Sequence, residues 1–456
     1  MDTPQQHQLP APPPSLPGSP ATDPAGRSHW GRLVATVLVS VAAVTPGLMA
    51  PALAAPVQQA LHLSGTAFGA AVTCFFAATA LGSFAARRIV PRLPVRAVLG
   101  AVGLLAAAVL AGLALAGHLW QLCLLLALAG FGNAFTQPVA ARVIAADIAP
   151  GRHSFAGGLF GASLGAGPFL PGLLVTLVAA PYGWRPALWT AAGIALTSLA
   201  AAALARPPAV NSPSSAMSSG PGEAPRPAAV HSPRTTGRVV AAWSVAAALA
   251  TIGSNVGSAY FIQIGTAAGF SAGTAGTLQM LASVLGIAIR LGSGRQADRA
   301  PHRIPRTVAA MMLTGTAGLA LITAGTPLTF LAGALLAVAG GWGWTGLLLA
   351  ATMRLLPGES ARAGAAMQGG LFAGAAIGPL SFGALSGQFG IPATVGIAAA
   401  GPLLGALLLI AGIRALAADA RPAERRPVPA DQQPGIPADT AAADRTGDRT
   451  GGPAAR

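Results

Sequence analysis

The sequence predicts an all-α membrane protein: twelve transmembrane helices arranged as two pseudo-symmetric six-helix bundles. Three observations predict it. The chain has 456 residues, 53% of them hydrophobic and only 9% charged, whereas a soluble domain carries about 25% charged residues. Apolar runs of about twenty residues, the length that crosses ~30 Å of hydrocarbon, recur along the whole chain. All but one of the 27 basic residues fall in alternate segments between those runs, as a positive-inside topology requires.

Residues 1–30 are rich in Pro, Gln and Ser and hold no apolar signal-peptide core. We read them as a disordered cytoplasmic tail. Six runs follow near 33–55, 67–86, 95–117, 119–144, 154–179 and 186–205 (spans 1 to 6), giving an N-terminal bundle over 31–205. Residues 206–237, rich in Pro, Ser and Arg, read as a cytoplasmic linker. Spans 7 to 12 lie near 239–262, 270–291, 307–325, 328–353, 362–387 and 391–414, giving a C-terminal bundle over 238–415. Residues 416–456 read as a second disordered cytoplasmic tail. With both termini inside, Arg185 is the one basic residue on the outer side. Inside a bilayer each span must satisfy its own backbone polar groups, so the spans are helices. Their many Gly and Ala residues let helices approach closely.

Composition also excludes functions. The formal charge is +15, all of the basic residues being Arg, but they are scattered singly and in pairs. A nucleic-acid partner needs a clustered basic face. Cys74 and Cys123 fall inside apolar runs and read as small buried hydrophobes rather than a disulfide or a metal site. No Gly-rich Lys-Ser/Thr loop for nucleotide phosphates is present. No cluster of His, Asp and Glu sits at a membrane face, as an embedded enzyme would want. No catalytic role, cofactor or metal is therefore expected. A membrane sensor would want a folded soluble module, and neither tail nor the linker looks foldable.

Between spans 8 and 9 lies a short charged hinge, Gly294-Arg295-Gln296-Ala297-Asp298-Arg299. Gly82-Ser83-Phe84-Ala85-Ala86-Arg87, followed by Arg88, is a weaker copy 212 positions earlier, after span 2. The two share the Gly, the Ala at the fourth place and the Arg at the sixth, and are expected at equivalent places in the two halves. Gly183-Trp184-Arg185 precedes span 6. Span 5 carries Gly161, Gly165 and Gly167-Pro168; span 11 carries Gly370, Gly374 and Gly378-Pro379, which read as the mirrored motif.

Two sixes of helices with this hinge resemble the major facilitator superfamily of secondary transporters, over roughly residues 30–415. The second hinge matches that family's loop signature; in the first, Ala86 stands where the family has Asp. The Gly-Pro pattern of span 5 looks like that of the family's exporters, with Ser163 in place of one Gly. The resemblance implies alternating access in the cell membrane, a small-molecule substrate held between the halves, and a monomer.

Two sets of candidate residues follow. The hinges read as a gate. Asp298 is expected near the start of span 5 with Arg152 close by, and Arg87 or Arg88 near the start of span 11 with Glu359 close by. A carboxylate at a helix start gains roughly 0.3–1 kcal/mol. By resemblance spans 1, 4, 7 and 10 line the cavity, with Thr45, Asn133, Gln137, Asn255, Tyr260, Trp342 and Trp344 as candidates and Gln279 and Gln368 behind them. Interhelical hydrogen bonding without a ligand, worth ~0.6 kcal/mol each, is the competing reading.

No Asp, Glu, Lys or His lies mid-span, so no proton relay is evident, although Asp147 or His153 at the inner mouth would serve. Arg142 and Arg290 lie near span ends and are expected to snorkel. A cavity without fixed charge suits a neutral or weakly polar amphipathic molecule. The leading expectation is an exporter of such compounds. The alternative is an importer or facilitator of a monocarboxylate- or cyanate-like anion, which needs a positive group that only Arg142 or Arg290 supplies.

Overall fold

The computed structural model describes residues 30–149, 152–204, 232–356 and 359–424. The N-terminal tail, most of the linker and most of the C-terminal tail lie outside them. Span 7 starts at Pro233, five residues before the expected boundary, because the Ser232 hydroxyl accepts the Thr235 N–H at 3.3 Å and caps the helix. The last helix runs to Glu424, past the expected end at 415.

Ten described helices are long and apolar enough to cross a membrane. One of them is double: the helix Ser360–Glu424 turns back at Gly390 (φ 76°, ψ 165°), which divides span 11 from span 12. Span 5 is absent from the ten because it is broken into pieces, His153–Ala166, Phe169–Leu174, a π-turn at Val175–Ala179, and Ala180–Tyr182. Twelve crossings result. Their outer surface carries Leu81, Phe84, Leu115 and Leu328, each more than two-thirds exposed, a cost that lipid removes.

The two halves repeat with an offset of 207 residues. Span 1 is interrupted at Leu53 and span 7 at Tyr260. Left-handed turns follow at His62 (φ 52°) and Gly269 (φ 99°). Gly183 (φ 94°) and Gly390 (φ 76°) make the last turn of each half, a backbone region that strains any residue with a Cβ. Beside Gly183, Arg185 donates from Nε to the Ala114 carbonyl (3.1 Å) and lies over the Trp184 ring, so the Gly-Trp-Arg tripeptide closes the end of span 3.

This register corrects two expectations. The hinges are not at equivalent places. Gly82 lies seventeen residues into span 2, buried, where an added Cβ would meet Phe131 and Ala134 of span 4. Gly294 lies twenty-two residues into span 8, with nothing within 4 Å. Shared residue types hid a slip of five between the motif spacing of 212 and the structural repeat of 207. Nor do the Gly-Pro pairs mirror one another: Pro168 precedes its turn glycine by fifteen residues and Pro379 by eleven, about one helical turn apart.

The halves meet along two seams, span 2 with span 11 and span 5 with span 8. Both are tightest at the face away from the termini. A Cβ on Gly65 would meet the Gly383 carbonyl at 2.7 Å, and one on Gly172 the Gly276 carbonyl at 2.6 Å. Thr176 Oγ1 donates across the second seam to the Gly273 carbonyl (2.9 Å), and Thr73 Oγ1 crosses the first to Ala376 (2.7 Å). Toward the other face the seams loosen: Gly157 and Gly158 have open space around them and Arg87, Arg88 and Arg299 are exposed. The molecule is closed at the far face and open at the face that carries the termini.

Candidate substrate cavity

One cavity has about 880 Å³ of space between its walls, a figure that includes open solvent at its mouth. It lies inside the C-terminal bundle, between spans 7, 8, 9 and 10, and Gly165 and Pro168 of span 5 close one side. The expectation of a site midway between the halves is corrected to this extent. Glycines shape it in two ways: Gly341 has open space where a Cβ would stand, whereas Gly253, Gly257, Gly315 and Gly340 face neighbouring helices and let them close in around the cavity.

Its polar groups form a connected set. Span 10 breaks after Gly341, at Trp342-Gly343, and resumes at Trp344. The break frees the Trp342 carbonyl, which accepts from Arg290 Nη2 at 2.8 Å. Arg290 Nη1 donates to the Gly161 carbonyl of span 5 at 2.7 Å, across the two halves. The indole N–H of Trp342 donates to Ser258 Oγ at 2.9 Å, and Ser258 Oγ to the Ser254 carbonyl at 2.8 Å. Ser254 Oγ returns to the Gly341 carbonyl at 2.8 Å. Gln279, 3% exposed, donates from Nε2 to the Ser258 carbonyl at 3.3 Å, while its Oε1 is buried without a partner.

Arg290 overturns the expectation of an uncharged cavity. It does not snorkel. Its guanidinium faces inward because Gln279, Ser283, Gly286 and Arg290 recur at helical spacing and all line the cavity. No carboxylate stands among the described side chains lining it. Two backbone carbonyls compensate the charge only in part, and an unpaired buried cation is costly. The wall is therefore electropositive at Arg290 in a mostly apolar space. Arg142, the other candidate, points away: Nη1 donates to the Val90 and Leu93 carbonyls at 2.7 Å and ties down the turn after span 2.

Of the seven expected cavity residues, Trp342 lines the large cavity. Thr45 lines a second one between spans 1, 5 and 6, its hydroxyl bonded back to the Val41 carbonyl. Three are packing residues instead. Asn255, 1% exposed, donates to the Ala375 carbonyl and ties span 7 to span 11. Tyr260 stacks on Phe382 with ring centroids 4.1 Å apart. Trp344 is fully buried in the cluster of Trp243, Met312 and Met367, turned there by the break at 342–343. Asn133 is half-buried where span 4 breaks at Ala134, one repeat from Gly341. Gln137 is exposed and accepts from Gln368 Nε2 at 3.1 Å across the halves.

Among the described side chains, the gate candidates do not meet in this state. Glu359 pairs with Arg362 at 2.9 Å, within its own turn, and Arg152 is exposed. The backbone of Asp298 closes span 8, and its side chain lies outside the described residues. Asp147 is ion-paired with Arg32 at 2.8 Å, which joins span 4 to span 1. Among the packing glycines, Gly161 has open space about it and Gly165 faces Arg290, and Gly167 is buried where span 5 breaks. Gly374 and Gly378 pack on span 7, Gly374 against the Ala248 carbonyl and Gly378 against Ile252. Pro379 presents its carbonyl to Gly69 of span 2.

Solved transporters share this fold. A bacterial homologue of the human lysosomal transporter Spinster, inward-facing and unoccupied, matches with a TM-score of 0.68 at 15% identity, over 90% of this chain and 100% of that one. The xylose transporter XylE from E. coli, in a partially occluded inward open conformation, matches at 0.65 and 12% identity, over 84% and 99%. A nucleoside transporter, NupG, matches at 0.65 and 10%, over 84% and 98%. No curated protein sequence matches the chain. The Major Facilitator Superfamily model matches residues 35–351, more than two-thirds of the length, and the chain belongs to that family of membrane transporters.

Proposed function

We propose that the protein exports small amphipathic compounds or metabolites across the cell membrane by alternating access, as a monomer with both termini in the cytoplasm. The observation that carries this is the large cavity: mostly apolar, floored by glycines, with one polar stripe, in a molecule open at the terminus-bearing face. The Arg distribution supports a cytoplasmic reading of that face, in which this state loads cargo from inside. The Gly-Pro break of span 5 supports the same reading. In the opposite state the gate closes, Asp298 against Arg152 at the start of span 5 and Arg87 or Arg88 against Glu359.

One observation favours a second reading. Arg290 supplies the positive group that import of a small organic anion needs. The test is accumulation of labelled compounds in efflux-deficient cells with and without the protein, using amphipathic dyes and antibiotics beside small carboxylates and cyanate. Export lowers steady-state accumulation of an amphipathic compound, and Asp298→Asn restores it. Faster uptake of a small anion, lost in Arg290→Met, replaces export by import. An unchanged inward/outward balance in Asp298→Asn removes the gate.

A further inference from the structure

We propose that the cavity in the C-terminal bundle is a two-ended site for an elongated amphipathic acid, its carboxylate on Arg290 and a hydrogen-bond donor at its other end on Gln279. The inference rests on the export reading above and names the class of cargo.

The geometry of span 8 carries it. Gln279 and Arg290 are eleven residues apart on one face of the helix, about 16 Å along its axis. Between them the face holds Ala282, Ser283 and Gly286, too small to divide the space. The opposite walls are glycines and short aliphatic residues. The cavity is thus a trough of small residues whose serine and indole groups are already bonded within the wall, with two polar ends of opposite character that have bonding capacity left.

The ends ask for different groups. Arg290 has N–H groups beyond the two already given to Gly161 and Trp342, and a carboxylate accepts from a guanidinium in a fork geometry. Gln279 Oε1 is an acceptor with no partner, and a buried acceptor left unmade is costly. It wants a hydroxyl or an N–H. Span 8 runs from the far face toward the terminus-bearing face, so the Gln279 end is deep and the Arg290 end is nearer the mouth. A ligand entering there leads with its neutral end, and its charged head keeps the shorter path to water.

Arg290 also joins the site to the moving parts. Its bond to Gly161 is made across the two halves.

The test is equilibrium binding of tritiated ω-hydroxyalkanoates of six to fourteen carbons to the purified full chain in lipid nanodiscs, with the matching plain alkanoates and methyl esters as competitors. Affinity is expected to peak at an intermediate length. The acid should bind at least tenfold tighter than its ester in the wild type, and this preference should vanish in Arg290→Met and return in Arg290→Lys. Gln279→Leu should keep the acid preference and lose at least threefold selectivity for the ω-hydroxyl. Equal affinity for acid and ester, or acid preference surviving Arg290→Met in a monodisperse protein, overturns the proposal. Site and transport fail separately: binding with this pattern but no change in cellular accumulation refutes the export reading and leaves the site standing.

Discussion

Spans 5 and 11 carry the same dipeptide, Gly-Pro, and respond to it differently. Span 11 stays helical through Gly378-Pro379, and span 5 breaks at Gly167-Pro168. A proline removes one N–H and crowds the carbonyl four residues before it. Span 11 has a single proline there, and its glycines press it against span 7, which holds it straight. Span 5 has Pro168 and Pro171, two missing donors within one turn, and open space beside Gly157, Gly158 and Gly161. A proline motif therefore acts through its neighbours. One half holds a rigid strut and the other a jointed arm, and the arm is the one that Arg290 grips.

The largest expected effects break that contrast from the strut's side. An added Cβ at Gly374 falls inside contact distance of the Ala248 carbonyl, which is backbone and cannot swing away. Gly374→Leu should cost about 3 kcal/mol or more by overpacking and lower the thermal midpoint in detergent by several degrees. Gly158→Ala, on the open side of span 5, should instead stabilise by up to ~1 kcal/mol through helix propensity. Equal destabilisation by both would mean that span 5 is as tightly packed as span 11.

Straightening the arm comes next. Pro168→Ala with Pro171→Ala restores both donors, and the rate for whichever labelled compound the cells extrude should fall at least tenfold in proteoliposomes. Pro379→Ala should change it less than threefold. Thr176→Val removes the bonds to Gly172 and Gly273, both 2.9 Å, at a cost of about 1 kcal/mol. It should widen the distance between spin labels placed at the far-face ends of spans 5 and 8.

The spans and halves were legible in the sequence because length, hydropathy and Arg alternation are one-dimensional rules. Family membership was legible in the two sixes of spans and in the second hinge, Gly294 to Arg299. What was not legible depends on rotation and register. Arg290 sits four residues before Gly294, and a span end suggests snorkelling. The spacing of Gln279, Ser283, Gly286 and Arg290 was the signal that points it inward. Asn255 and Tyr260 are polar residues mid-run, and nothing in the order of residues says that Ala375 and Phe382 are there to receive them. The hinges shared letters but not depth, since a comparison of short motifs does not see the 207-residue repeat that the turns at His62/Gly269 and Gly183/Gly390 set.

The smallest expected effect separates a gate from a surface ion pair. Glu359 and Arg362 are 55% and 82% exposed at the side chain and three residues apart. Such a pair contributes about 0.2–0.5 kcal/mol, screened by salt. Glu359→Gln should therefore leave the thermal midpoint of this open state unchanged within error. The gate asks more of the same carboxylate. In the proposed gate the opposite state brings it to Arg87 or Arg88 of the other half, where burial would strengthen the contact, and Glu359→Gln should then shift the population toward the state seen here. Label distances between the terminus-bearing ends of spans 2 and 11 read that shift. A longer mean distance with an unchanged melting temperature assigns Glu359 to the gate. If neither moves, its role ends with Arg362.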